Sequence, residues 1–188
     1  MGHDLSQANI RLRDAIRQIH ESTQNHPVAD LLMSGDLPKN VYADLVYNYL
    51  RAYKALETEA DKVGLFEGIE GIKRADLMQQ ELDSLTEEGI TYEPQESTVA
   101  YEEYVKNIED KDQLMAHIYI RYLSLMSGGQ IMRDLVPSEG VMYKFKHIDK
   151  LSEGLRAKLY DGLIEEAKKS FEQVHQLFVE LGEKYNVH

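Results

Sequence analysis

The chain contains no cysteine and only 4 prolines among its 188 residues. The lack of cysteine excludes a disulfide framework, cysteine-ligated zinc, iron–sulfur clusters and thiol catalysis, so a reducing cytoplasm is the expected compartment. Long apolar runs are also missing. No stretch approaches the roughly 18 uninterrupted apolar residues of a membrane span, and the opening MGHDLSQANIRLRD has no apolar signal-peptide core. We therefore expect a cytoplasmic protein without a membrane partner.

Basic residues are scarce relative to acidic ones. Lys and Arg total 21 against 33 Asp and Glu, which gives a formal net charge of -12. Binding to nucleic acid or to anionic membranes needs a basic surface, so we expect neither partner. The composition is otherwise that of a folded globular chain, with 43% hydrophobic and 29% charged residues. Its length fits a single domain over residues 1–188.

Apolar residues recur with a helical period almost everywhere, and no segment alternates in the manner of a strand. We therefore predict an all-α fold, a single-domain multi-helix bundle. The predicted helices cover approximately residues 5–25, 39–63, 74–85, 97–108, 112–135 and 155–184. The fifth should bend at Ser127-Gly128-Gly129 and end before Pro137. The first should turn an apolar stripe inward, formed by Leu12, Ala15, Ile16 and Ile19.

His20 is the first candidate for a functional side chain. Leu12, Ile16 and His20 are spaced by four residues, so the imidazole continues the apolar stripe, while Arg13 and Arg17 form a parallel cationic row. One interpretation is a buried, hydrogen-bonded histidine flanked by solvated arginines. The other is an axial metal ligand with cations placed for the carboxylates of an anionic ligand.

Two further segments are candidates for ligand binding. MYKFKHIDK, residues 142–150, gathers three lysines and one aspartate in an otherwise acidic chain. It is either a solvated face or, together with the arginines of the first helix, a clamp for a small dianion. YIRYLSLMSGGQIM places Gly128 and Gly129 inside a helix, where glycine costs about 1 kcal/mol relative to alanine. Such small residues admit either another helix or a flat, rigid ligand against the backbone.

Several segments resemble the heme oxygenase family. LRDAIRQIHESTQN resembles its proximal helix with the axial histidine, YLRAYKALETE the core helix that follows, and AHIYIRYLSLMSGGQIM its distal helix. KFKHIDK and LIEEAKKSFEQVHQLFVEL resemble its C-terminal third. The segments span nearly the whole chain in the family's order. The resemblance implies a heme-oxygenase-like bundle that holds heme between the proximal helix and a bent distal helix.

The resemblance implies roles for residues that would bind heme. His20 matches the proximal iron ligand. Arg13, Arg17, Lys146 and Lys150 match positions where the family keeps basic residues near the heme propionates. Lys150 also matches a position that influences regiochemistry.

Further roles follow from the resemblance on the distal side. Tyr119 matches a propionate-side position, and Tyr53 and Arg121 match parts of the distal hydrogen-bond network. Gly128 and Gly129 match glycines that let the distal helix lie directly over the porphyrin plane.

The family's reaction is the expected function. Heme is both substrate and cofactor, and O2 and electrons open it at the α-meso carbon to give biliverdin IXα, CO and Fe2+. The chain has no flavin or nicotinamide motif, so a separate ferredoxin or reductase should supply electrons. We expect it to dock on the basic surface around Arg11, Arg13, Lys144 and Lys150. A downstream bilin reductase is a further candidate partner.

One stretch departs from the family pattern. Where relatives read YLGDLSGGQ, this chain reads YLSLMSGGQ, with Ser124 for a glycine and Leu125 for an aspartate that orders distal water and delivers protons. Ser124, Tyr53 and Arg121 are the catalytic candidates that could hold water in its place. The alternative function is a heme-binding relative with a peroxidase-like or storage role.

Glu172 and His175 form an ExxH pair, the spacing used by di-iron carboxylate bundles, so a different helical enzyme also stays open. Such a site needs a second ExxH, and none occurs among the 7 histidines. We therefore interpret the pair as helix surface. If His20 is not the metal ligand, His117 on the distal-helix segment is the next candidate.

Overall fold

The computed structural model describes residues 6–188, and over that range it contains helices, turns and loops but no strand. The predicted all-α fold is confirmed. The α-helices are α1 (Gln7–Ala15), α2 (Arg17–Gln24), α3 (Pro27–Ser34), α4 (Lys39–Lys62), α5 (Ala75–Glu87), α6 (Glu96–Lys106), α7 (Lys111–Met126), α8 (Gly129–Met132), α9 (Ile148–Arg156) and α10 (Ile164–Tyr185).

The predicted first helix is divided at Ile16 into α1 and α2. Ile16 has φ -94° and ψ -1°, which is off the ideal helix, yet its N–H donates to the Leu12 carbonyl at 3.0 Å and its carbonyl accepts from His20 N–H at 2.8 Å. The chain therefore bends without losing its hydrogen bonds. The inward stripe is partly wrong, because Ala15 is exposed. The predicted beginning at Leu5 lies outside the described residues.

Helix α3 was missed by the sequence prediction, which ended the first helix before Pro27 and predicted no helix after it. Pro27 occupies the first turn, where its missing N–H costs nothing, and the His26 side chain accepts from Val28 N–H at 3.1 Å. Gly35 ends the helix in the left-handed conformation at φ 79°. This short helix forms one wall of the cleft described below.

Helix α4 runs through the centre of the bundle, with α5, α6, α7 and α10 packed around it. The bounds of α4, α5 and α6 agree with the sequence prediction to within about two residues at each end. Buried carboxylates fasten α4 and α5 to their neighbours. Glu57 accepts from the Tyr122 hydroxyl of α7 at 2.7 Å, and Glu81 accepts from the Tyr42 hydroxyl at 2.8 Å.

The predicted bend in the fifth helix is present. Ser127 leaves the helical region at φ -103° and ψ -92°, and α8 restarts at Gly129. The second piece is shorter than predicted, since α8 ends at Met132 instead of near residue 135. The turn at Ser127-Gly128 changes the direction of the chain, so that α8 packs against α3.

The predicted last helix begins too early. Residues 148–156 form a separate helix, α9, and a 3-10 turn over residues 161–163 precedes α10. Leu155, Leu159 and Leu163 are all buried and keep a spacing of four, so the apolar period runs through the turn without revealing it. Of the helices in residues 6–188, none is both long and apolar enough to cross a membrane.

Candidate functional site

A cleft opens between α2 on one side and α7 with α8 on the other. It consists of two adjoining cavities of about 540 and 350 Å³, a size that suits a small organic ligand. Both cavities are lined by His20, Ile120, Ser124 and Phe171. We call the larger one the arginine-lined cavity, because Arg13, Arg17 and Arg156 line it, and the smaller one the glycine-lined cavity, because Gly128 and Gly129 line it.

His20 projects from α2 into the cleft where the two cavities meet. Its side chain is exposed, and its ring centroid lies 5.8 Å from that of Phe171 on α10. No residue within 6–188 forms a hydrogen bond with the imidazole. The interpretation of His20 as a buried, hydrogen-bonded histidine is therefore wrong. Either ring nitrogen has an open lone pair or N–H for a ligand in the cleft.

Cations gather at the arginine-lined end of the cleft. Arg13 and Arg17 are exposed on the first two helices, and Arg17 pairs with Asp14 at 2.6 Å across the helix surface. Arg156, the last residue of α9, reaches the same cavity. Such exposed charges attract an anion weakly and are screened by salt.

Tyr119 forms the floor of this cavity. It is buried, and its hydroxyl donates to the Asn9 side-chain oxygen of α1. Burial raises the pKa of Tyr119 to about 12, so the phenol stays protonated at neutral pH. Its role is therefore that of a neutral hydrogen-bonding group beside the arginines.

Lys146 and Lys150 lie elsewhere. Both are exposed, and neither is among the residues 6–188 that line the two cavities. Arg156 lines the arginine-lined cavity, which these two lysines do not. The sequence did contain a pattern that could have indicated Arg156. Leu151 and Leu155 are the buried residues of α9, and their spacing sets the orientation of the helix that carries Arg156.

The two glycines have different environments. A Cβ added at Gly129 would lie 3.1 Å from Cδ1 of Tyr143 and 3.3 Å from the Ser124 carbonyl oxygen, so the protein's own packing favours glycine there. A Cβ at Gly128 would meet nothing closer than the Ser124 carbonyl at 4.0 Å, and Gly128 has an ordinary helical φ of -56°. A side chain at Gly128 would therefore project into the cavity without clashing with the protein.

The predicted catalytic residues Tyr53, Arg121 and Ser124 all line the glycine-lined cavity. The Tyr53 hydroxyl donates to the Arg121 carbonyl at 2.8 Å, and the Ser124 hydroxyl donates to the Ile120 carbonyl at 2.6 Å. Both donors are already used within the protein, although both oxygens can still accept. Leu125 is buried at the same wall and brings no polar group.

Arg121 is held behind the cavity by a buried network. Its Nε donates to Ser170 Oγ at 2.9 Å and to the Tyr101 hydroxyl at 3.1 Å, and its guanidinium lies 4.1 Å from the centre of the Tyr101 ring. The network fixes the guanidinium and leaves it little freedom to move toward a ligand.

His117 belongs to the same network and not to the cleft. It is fully buried, with Nδ1 2.6 Å from the Tyr101 hydroxyl and Nε2 2.9 Å from Glu166 Oε1. Burial lowers its pKa to about 4. The prediction of His117 as the reserve metal ligand is therefore wrong, since both ring nitrogens are occupied.

The ExxH pair forms no metal site. Glu172 is exposed, and His175 Nδ1 lies 2.8 Å from the Thr23 hydroxyl. Across the described part of the chain, no group of three or more histidine, aspartate or glutamate side chains is arranged to hold a metal ion. Nothing in this region supports the di-iron alternative.

Comparison with known proteins gives the family. The family model "Heme oxygenase" matches residues 6–180. A heme oxygenase of Guillardia theta is 32% identical over 74% of this chain and 66% of its own length, and rabbit heme oxygenase 2 is 24% identical over 90% and 64%. The chain thus spans about two thirds of the length of these relatives.

Solved structures agree on the fold. Heme oxygenase-1 of Synechocystis, crystallised with heme, superposes with a TM-score of 0.80 over 95% of this chain and 94% of that one, at 20% identity. Heme oxygenase of Leptospira interrogans gives 0.80 over 93% and 100%, at 21% identity. The family model and the solved structures agree, and the chain belongs to the heme oxygenase family.

Proposed function

We propose that the chain binds heme in the cleft between α2 and α7–α8 and opens it oxidatively. The observation that carries this proposal is the free imidazole of His20, which lines the glycine-lined cavity together with Gly128 and Gly129. Bound heme would supply the iron that activates O2 and the α-meso carbon at which the ring opens, giving biliverdin IXα, CO and Fe2+.

The residues present fit a flat ligand with two carboxylates. Gly128 keeps open a space that any side chain would fill, although the protein itself does not need glycine there. Leu32, Met132 and Phe178 make the surrounding wall apolar. The arginines stand together at the other end of the cleft, where they would meet propionate carboxylates.

Individual residues would divide the work of binding and orientation. His20 would ligate the iron, and Arg13, Arg17 and Arg156 would hold the propionates beside Tyr119 and so fix the in-plane rotation. Lys146 and Lys150 remain predictions from the family pattern, and the position of Arg156 in the cavity favours it over both.

On the distal side, Tyr53, Ser124 and Arg121 would limit and order water. The Tyr53 and Ser124 oxygens can accept a hydrogen bond from a water molecule, because their own protons are donated to backbone carbonyls. Leu125 can hold no proton. It would exclude water from the wall it forms.

Electrons would come from an external ferredoxin or reductase, and the compartment would be the cytoplasm, where a cysteine-free chain needs no oxidising conditions. The predicted docking surface includes Arg11, whose guanidinium pairs with Asp161 at 2.7 Å, so its charge is partly offset. Lys144 and Arg13 are exposed and remain the stronger candidates in that surface. A bilin reductase would consume the product.

Turnover of hemin by the wild-type protein tests the proposal. Hemin-loaded protein is supplied with ferredoxin, its reductase and NADPH in the presence of catalase, which removes free peroxide, and products are separated by chromatography. We expect biliverdin IXα. Heme that is bound but only bleached would support the alternative, a peroxidase-like or storage protein, which Leu125 motivates. In that case Leu125→Asp should produce biliverdin.

A further inference from the structure

The turn that contains the two glycines packs against a second segment, residues 140–145. The Tyr143 ring occupies the space where Gly129 lacks a side chain. Cδ1 of Tyr143 would lie 3.1 Å from a Cβ added at Gly129. The Gln130 side-chain amide joins the two segments, because its Nε2 donates to the Tyr143 carbonyl at 2.8 Å and to the Leu125 carbonyl at 3.2 Å. Tyr143 is therefore fixed beside the residue that departs from the family pattern.

Further contacts hold the 140–145 segment in place. The buried Glu81 carboxylate accepts from Val141 N–H and from the Ser138 hydroxyl. Gly140 adopts φ 65°, and a Cβ there would lie 2.6 Å from the Arg133 carbonyl, so the turn tolerates only glycine. The position of Tyr143 follows from this fixed backbone and does not depend on a mobile loop.

The hydroxyl of Tyr143 differs from those of the other buried tyrosines. The hydroxyls of five buried tyrosines bond to a protein group: Tyr42, Tyr53, Tyr101, Tyr119 and Tyr122. Tyr143 is only 3% exposed, and its hydroxyl has no hydrogen-bond partner among residues 6–188. Tyr49 is half-buried, and its hydroxyl also has no hydrogen-bond partner among residues 6–188. Both tyrosines line the glycine-lined cavity. Neither hydroxyl is fully enclosed by protein, so each is open to the cavity that its residue lines and can donate a hydrogen bond to a group there.

We propose that Tyr143, assisted by Tyr49, is the hydrogen-bond donor that positions a polar ligand or water in the glycine-lined cavity, at the wall where Leu125 replaces the family's carboxylate. The inference rests on the proposed binding of heme in this cleft. Tyr53 has a different role, because its proton is already donated to the Arg121 carbonyl. Tyr53 can therefore accept a hydrogen bond from a ligand or water but does not donate one.

Phenols differ from a carboxylate at this wall in one chemical respect. An ionised carboxylate only accepts, whereas a phenol donates its proton and also accepts. Burial raises the pKa of Tyr49 to about 12, against a lowering by the nearby Arg121 charge. Burial raises the pKa of Tyr143 further, and Tyr49 and Glu81 add to that rise. Both therefore stay protonated and able to donate at neutral pH.

Azide binding to the hemin-loaded protein tests this donor directly. Azide is a small anion that ligates ferric heme and accepts a hydrogen bond at its free end. We expect Tyr143→Phe to raise the azide Kd about two- to tenfold, the range for loss of one hydrogen bond, and Tyr49→Phe to have a smaller effect in the same direction. The asymmetric stretch of bound azide should shift in parallel, which a purely structural defect would not produce.

Tyr47→Phe is the matched control, since Tyr47 lies on the same helix as Tyr49 but packs on Tyr92 with centroids 4.5 Å apart, away from the cleft. Hemin affinity should be unchanged in Tyr47→Phe, and azide binding to the other two variants is measured at saturating hemin. Wild-type azide affinity and stretch in Tyr143→Phe, Tyr49→Phe and the double variant would overturn the assignment while leaving heme binding intact. A wild-type protein that takes up no hemin would instead overturn the proposed function, and this inference with it.

Discussion

The two cavities of the cleft are built on different physical principles. The arginine-lined cavity is bounded by exposed Arg13 and Arg17 and by half-buried Arg156, and Arg17 has a surface partner. The glycine-lined cavity also has buried residues in its wall, and the network of Arg121, Tyr101 and His117 holds that part of the wall from behind. One end attracts through charge, and the other selects through shape.

This difference predicts which conditions affect each end. Exposed ion pairs contribute little and weaken as salt rises, whereas buried networks are insensitive to salt but respond to the protonation of their members. Mutations at the arginine-lined end should therefore have graded effects. Mutations at the glycine-lined end should have abrupt effects, because close-packed walls cannot deform continuously.

The largest effect is expected at Gly128. Gly128→Leu should abolish hemin uptake, because the added side chain would fill the cavity and meets no protein atom near its Cβ. Gly128→Ala should weaken uptake by an intermediate amount. Hemin titration followed by absorption measures both, and circular dichroism melting serves as the folding control. A Gly128→Leu protein that folds and binds hemin as the wild type does would show that the cavity is not the heme site.

A smaller effect is expected from pH at the buried end. Because the pKa of His117 is lowered from 6.5 to about 4, the unfolded chain takes up a proton below about pH 6.5 that the native protein does not. Stability should therefore be complete above pH 6.5 and fall by about 1.4 kcal/mol per pH unit down to pH 4, roughly 3 kcal/mol in total from this group. The pKa of Glu166 is also lowered, and it adds a loss at still lower pH.

Urea unfolding of the apoprotein at pH 7, 6 and 5 measures this slope. His117→Gln cannot be protonated, so the free energy of unfolding of this variant should change less with pH between 6.5 and 5 than that of the wild type. Added salt should leave the wild-type slope nearly unchanged. The same slope in wild type and His117→Gln would mean that other groups control the pH dependence.

The smallest effects are expected at the arginine-lined end. Arg13→Glu, Arg17→Glu and Arg156→Glu should each raise the hemin Kd roughly three- to tenfold at low salt, and the effect should shrink toward physiological salt. Lys150→Glu is the matched control, because Lys150 is exposed and lies outside both cavities. If Lys150→Glu alters hemin affinity or the biliverdin isomer and Arg156→Glu does not, the family position of Lys150 is the functional one.

Much of the fold could be predicted because its signals are local. The apolar period of α4 and the prolines and glycines at helix ends give bounds that the structure reproduces. The prediction failed where local signals persist through a break. Leu155, Leu159 and Leu163 keep helical spacing across a 3-10 turn, and Pro27, read as a stop, begins α3.

The site was partly predictable for the same reason. His20 and Arg17 share α2, so their relative placement follows from a spacing of three residues. Arg156 was missed because KFKHIDK is a denser basic cluster, although it lies outside the cavities. Tyr143 was missed because its neighbours Gly129 and Gln130 are separated from it along the chain, and only the folded turn brings its hydroxyl to the cavity.

The most direct test of the account is the absorption spectrum of hemin bound to wild type and to His20→Ala. The wild type should saturate near one equivalent of hemin with a histidine-ligated Soret band. His20→Ala should lose that band while keeping its helical content, since the side chain is exposed and forms no hydrogen bond within residues 6–188. Added imidazole should restore the band by occupying the vacated space. An unaltered spectrum in His20→Ala would contradict the assignment of His20 as the axial ligand.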